Sequence, residues 1–135
     1  MKNLHSQRGI GFLNLIFILV IVTFLATFAF KVIPIYGENR YVEAGLRDLV
    51  EPGTKLEQMS DSEIKKKMNN FYMLNNVRTE GPKNIVINRK SEHVIVSIDY
   101  ESRTPFIYNI DLVVSFKNQL DSTRPNECCK PMSVK

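Results

Sequence analysis

The residues from which catalytic and metal centres are usually built are scarce in this chain. Of its 135 residues, two are histidine, His5 and His93, and two are cysteine, the adjacent Cys128 and Cys129. Metal sites need spaced ligands, and no third or fourth Cys or His accompanies the cysteine pair. No nucleophile has a base at a meaningful spacing, so neither an enzyme nor a bound cofactor is expected. Positive residues are scattered without forming a basic face, which argues against a nucleic-acid partner. Internal repeats are also missing.

The most informative absence is charge. Residues 10–30, IGFLNLIFILVIVTFLATFAF, contain no charged residue, and their only strongly polar side chain is Asn14. As a helix this run is about 31 Å long, which matches a hydrocarbon core of about 30 Å. A buried helix in a soluble domain of this size would rarely be apolar on every face. The run exceeds a signal-peptide core, and no small-x-small cleavage site follows it, so an uncleaved anchor in the lipid bilayer is expected. Lys2 and Arg8 precede it without an acidic residue, while 16 Lys and Arg face 14 Asp and Glu from Lys31 onward. This charge distribution favours a cytoplasmic head and an external domain. The resulting division is a basic head at 1–9, a membrane helix at 10–33, an α+β domain at 34–120 and a flexible tail at 121–135.

Beyond the span the periodicity changes twice. Pro34 is expected to kink the helix without ending it, because Val42, Leu46, Leu49 and Val50 continue a helical stripe that Pro52-Gly53 stops. Ser60 and Glu63 have the spacing of a capping box, and Ile64, Met68, Phe71 and Tyr72 give the second, shorter helix an apolar face. Lys65, Lys66 and Lys67 read as its solvated side. From residue 84 the period becomes two. A strand at 84–88, one at 94–101 and one after Pro105 form an antiparallel meander with one buried face. In the third strand, Phe106, Tyr108, Ile110, Leu112, Val114 and Phe116 are expected to point together toward the helices.

Arg8-Gly9, followed by Ile10-Gly11-Phe12-Leu13-Asn14 and by Ile33-Pro34-Ile35-Tyr36, resembles the start of a type IV pilin. That resemblance implies a long curved helix on an antiparallel sheet, with leader cleavage between Gly9 and Ile10. It departs at Asn14, where pilins carry a glutamate. A wider match runs through Lys31-Val32-Ile33-Pro34-Ile35-Tyr36, Tyr41-Val42, Ile98-Asp99-Tyr100-Glu101, Pro105 and Asn109-Ile110-Asp111-Leu112-Val113-Val114. These residues resemble a bacterial domain-of-unknown-function family of short, pilin-like inner-membrane proteins, often encoded beside signal peptidase I and ribonuclease III. The implied role is accessory: a single-pass inner-membrane protein with a periplasmic domain that binds another envelope or membrane protein. Signal peptidase I or pilus and secretion machinery are the partners that the resemblances suggest.

Two alternatives stand beside that role. One is a minor pilin or pseudopilin processed after Gly9, for which Asn14 lacks the charge to neutralise a neighbour's new amino terminus. The other is a cation-binding or catalytic module built from Asp99, Glu101 and Asp111, whose rival reading is a wet sheet face paired with Arg103 or Arg89. Asn14 either bonds to another helix in the membrane or is hydrated near the headgroups. Cys128 and Cys129 admit free thiols, a bond to each other, or an intermolecular bridge, and the last would give a homodimer.

Overall fold

The computed structural model describes residues 11–91 and 93–130. Its first element, α1, is one helix of 37 residues, Phe12–Asp48, which corresponds to about 55 Å. Pro34 lies inside α1 and does not end it. A proline at this position removes only one i→i−4 hydrogen bond, and both flanks are strongly helical. The two halves of α1 have different surroundings. Residues 12–26 are exposed throughout. The second half buries Ile35, Asn39, Val42, Gly45 and Leu46 along one face. Leu49 closes the stripe, and a turn through Gly53 at φ 99 leads the chain away.

The second helix, α2 (Asp61–Leu74), begins with the expected capping box. The Glu63 amide donates to Ser60 Oγ at 3.3 Å, and the Ser60 amide donates to Glu63 Oε2 at 2.7 Å. It buries Ile64, Met68 and Tyr72. The helices meet at Gly45, where a Cβ would lie 3.1 Å from Phe71 Cδ1 and 3.2 Å from Met68 Cε. Lys65 and Lys66 are solvated, but Lys67 reaches back to α1. Its Nζ donates to the Asp48 carbonyl at 2.6 Å and lies 3.3 Å from the Asp48 carboxylate, so a cation satisfies the negative end of α1. The exit of α2 has the paired bonds of a Schellman motif: Val77 N–H to Tyr72 O and Asn76 N–H to Met73 O, with Asn76 at φ 58.

Strands β1 (Val86–Arg89), β2 (Val94–Ile107) and β3 (Ile110–Asp121) form an antiparallel meander in that order. Val94, Val96, Ile98 and Tyr100 of β2 join Phe116, Asn118 and Leu120 of β3 on the buried face. Gly81 permits the approach of the preceding loop, because a Cβ there would fall 2.8 Å from Tyr100 Cδ2 and 2.9 Å from its Cβ. Gly81→Ala should therefore cost about 1–3 kcal/mol in chemical unfolding, since neither backbone nor ring has room to yield.

Two expectations are corrected. The long hairpin does not turn at Pro105. β2 continues through it to Ile107, and the turn is Tyr108-Asn109, with Tyr108 at φ 52 and fully exposed. Phe106, Leu112 and Val114 keep the helix-facing side with Phe116, whereas Ile110 pairs with Ile107 and is exposed. Alternation had hidden the turn, because a two-residue hairpin without glycine leaves no gap in the apolar pattern. The register shifts between Pro105 and Ile107, a bulge that accommodates a proline which cannot donate to the ladder.

The second correction concerns residues 121–130 of the expected tail; residues 131–135 lie outside the described residues. Ser122 N–H bonds to Val94 O at 3.0 Å, and Gln119 N–H bonds to Cys129 O at 3.2 Å, so the chain folds back along β3. Burial works to raise the Asp121 pKa, but hydrogen bonds from the Thr123 side chain and amide hold it below the usual carboxylate value. Cys129 is buried. These local bonds have no apolar period, and for that reason the segment resembles a tail in sequence.

Candidate functional site

The elements converge on a polar knot that joins α1 to the sheet. Asn39 Oδ1 accepts from Asn118 Nδ2 at 2.7 Å and from the Tyr100 hydroxyl at 3.2 Å, while Asn39 Nδ2 donates to Glu43 Oε1 at 3.2 Å. Asn39 and Asn118 are both buried. Burial and the nearby Glu38 and Glu43 carboxylates push the Tyr100 pKa far up. Burial, then Tyr100, does the same to Tyr72, whose hydroxyl has no hydrogen-bond partner among the described residues. Both phenols are thus held protonated. The knot orients the sheet on the helix and offers no activated nucleophile. By its type alone, Asn39 reads as one of the solvated residues of α1. One sequence signal pointed elsewhere: continuing the β3 alternation past Phe116 puts Asn118 on the inner face, where a polar residue requires a partner.

The acidic residues are distributed differently. Asp99, Glu101 and Asp111 all lie on the outer face of the β2–β3 ribbon. Asp99 stands opposite Lys117, Glu101 accepts from Ser115 Oγ at 3.4 Å, and Asp111 pairs with Arg103 at 3.7 Å. Arg103 separates Glu101 from Asp111 along that face. Arg89 serves elsewhere, holding Asp61 at 2.6 Å and so tying β1 to the start of α2. Among the described residues no His, Cys, Asp or Glu group is arranged to hold a metal.

Asn14 lies in the exposed first turn of α1, where its amide bonds to Gly11 O at 2.8 Å. Gly9 and Ile10 fall outside the described residues. Cys128 and Cys129 are bonded to each other, which is the within-chain outcome of the three, and Cys129 Sγ lies 3.5 Å from the Glu43 carbonyl oxygen. This places the cysteine segment against α1 at Glu43, whose side chain belongs to the knot.

Two open surfaces among the described residues flank α1. On one side of α1, Pro34, Gly37, Glu38 and Tyr41 form a groove with residues 75–79, and Glu38 Oε1 accepts from Thr79 Oγ1 at 2.8 Å. Met73 and Leu74 at the end of α2 are exposed beside it at 80% and 86%. The other surface is the apolar half of α1 with the hairpin tip against it.

A family model described as Domain of unknown function (DUF4845) matches residues 31–116, more than half of the chain. The chain belongs to this family. The DUF4845 match begins at Lys31, where the apolar run ends, and takes in the second half of α1, α2, β1, β2 and the start of β3. The polar knot is shared across its edge, since Asn39 and Tyr100 lie inside the matched residues and Asn118 lies just beyond them. No curated protein and no solved structure matches the chain. Among the described residues of the DUF4845 chain, one helix, α1, is long and apolar enough to cross a membrane.

Proposed function

We propose that this chain is a single-pass inner-membrane protein whose α+β domain stands on the periplasmic side and binds another membrane or envelope protein. One observation carries this reading: α1 has no joint. The same helix that exposes its apolar residues from 12 to 26 becomes the central helix of the folded domain beyond Pro34. Such a domain is held at a fixed height above the bilayer, with little freedom to travel. That arrangement suits a partner embedded in the same membrane. Exposed Met73 and Leu74, beside the Pro34–Tyr41 groove, supply an apolar contact surface on the membrane-proximal side.

The minor-pilin alternative shares this architecture, but Asn14 offers a neighbouring subunit no compensating charge, so an anchored accessory role is favoured over the body of a filament. A module built on Asp99, Glu101 and Asp111 is less favoured, because Arg103 interrupts the acidic row.

The reading is tested in intact cells. A carboxy-terminal reporter that is active only in the periplasm should be active, and its cytoplasm-dependent counterpart should be silent. The reverse pattern would overturn the orientation. A photo-crosslinking residue at Leu74 should yield an adduct with a membrane protein that is not obtained from the solvated Lys66. Equal yields from the two positions would remove the proposed contact surface.

A further inference from the structure

We propose that the tip of the β2–β3 hairpin, residues 106–110, is a second membrane contact, seated in the outer interfacial layer of the bilayer that α1 crosses. The proposal rests on the anchored reading above and adds to it a second point of attachment.

The Phe106 ring packs edge-on against Phe24 at 5.6 Å and Phe28 at 5.8 Å between centroids. Ile107 closes a groove with Leu19, Thr23, Phe24 and Thr27. Phe24 precedes Lys31, the first charge after the apolar run, by seven residues, or about 10 Å of helix. The run at 10–30 is about as long as the hydrocarbon core is thick, so α1 has no slack with which to lift Phe24 into bulk water. A hairpin that touches Phe24 must meet the membrane.

Chemistry agrees with position. Residues 104–110, Thr-Pro-Phe-Ile-Tyr-Asn-Ile, carry no charge. Charge resumes at the Arg103–Asp111 pair, on the domain side of the tip. Ile107, Tyr108 and Ile110 are exposed at 45%, 99% and 58%. Tyrosine with aliphatic neighbours is the composition favoured where headgroups meet acyl chains. The backbone sets the depth. β1 covers β2 only at residues 94–97, so the tip is a two-stranded ribbon with unpaired edges. Open edges are not tolerated deep in hydrocarbon, so the Phe24 contact, about 10 Å of helix below Lys31, marks the lower limit of a tip seated at the headgroup–acyl boundary.

The chain has no tryptophan, so a single introduced one reports its own surroundings. Tyr108→Trp, Phe17→Trp and Leu74→Trp would each be made in the full chain and reconstituted into phosphatidylcholine–phosphatidylglycerol vesicles. Some vesicles would contain lipid brominated near the top of the acyl chain, others lipid brominated near its middle. The Tyr108→Trp emission should be blue-shifted and lose more than half its intensity to shallow bromines. Phe17→Trp should be quenched best by deep bromines, and Leu74→Trp by neither. If Phe17→Trp is quenched while Tyr108→Trp behaves like Leu74→Trp, the tip contact is overturned and the anchor stands. If Phe17→Trp is not quenched, the anchor fails and the tip contact fails with it. A blue-shifted but unquenched Tyr108→Trp would mean that protein covers the tip, and would overturn the proposal in favour of a second copy or another chain. Ile110→Trp, read in the same way, decides the matter if substitution at Tyr108 disturbs the turn.

Discussion

Asn39→Ala should lower the stability of the folded domain by about 3 kcal/mol, although alanine is the better helix former. The substitution removes the acceptor shared by Asn118 Nδ2 and the Tyr100 hydroxyl. Asn118 is 2% exposed, so water cannot replace the lost bond without opening the core. Each buried donor left unpaired costs about 1–3 kcal/mol. The gain in helix propensity recovers at most about 0.7 kcal/mol, too little to compensate. Denaturant unfolding of the full chain in micelles measures the loss. Adding Asn118→Val to Asn39→Ala should cost less than the two single changes together, because the second change removes a donor that the first had stranded. A single-variant loss below about 0.5 kcal/mol would mean that the knot is not closed as described.

Leu46→Ala should cost about 2–5 kcal/mol, since the side chain is fully buried between α1 and its neighbours and leaves a cavity on removal. Against a domain stability of about 5–15 kcal/mol, that is a substantial fraction. At roughly 4–8 °C per kcal/mol, the melting temperature should fall by more than about 8 °C. Leu112→Ala makes a useful comparison, because Leu112 faces the same helix but is only half-buried, above the core on the emerging ribbon. Its cost should be clearly smaller. Equal losses at Leu46 and Leu112 would mean that the ribbon is packed as tightly as the core, contrary to its exposure.

These two positions also mark what can be read from sequence. The Val42–Leu46–Leu49 stripe, the Ser60–Glu63 box and the alternation of β2 are local signals, because spacing alone fixes the face that is buried. Asn39 is different. Its partners lie 61 and 79 residues away, and a lone polar residue on a helix resembles a solvated one until they are known. The Tyr108-Asn109 turn was hidden because alternation records the face of a residue and not the direction of the strand. The return of Cys129 to β3 was hidden because it depends on backbone bonds, which leave no mark on side-chain pattern. Contact between Phe106 and the apolar half of α1 joins two segments that composition assigns to different environments.

Continuity of α1 gives the molecule a phase. Adjacent residues on a helix are separated by about 100° of rotation, so the azimuth at which Phe24 and Phe28 leave the apolar half is geared to the azimuth at which Ile35, Asn39 and Val42 enter the core. Phe106 can meet the two phenylalanines only because both azimuths fall on the same side of one cylinder. The number of residues between Phe28 and Ile35 is thus a mechanical setting of the protein. One residue more or less would leave the apolar half of α1 and the folded domain individually intact, yet swing the hairpin off the helix that it rests on.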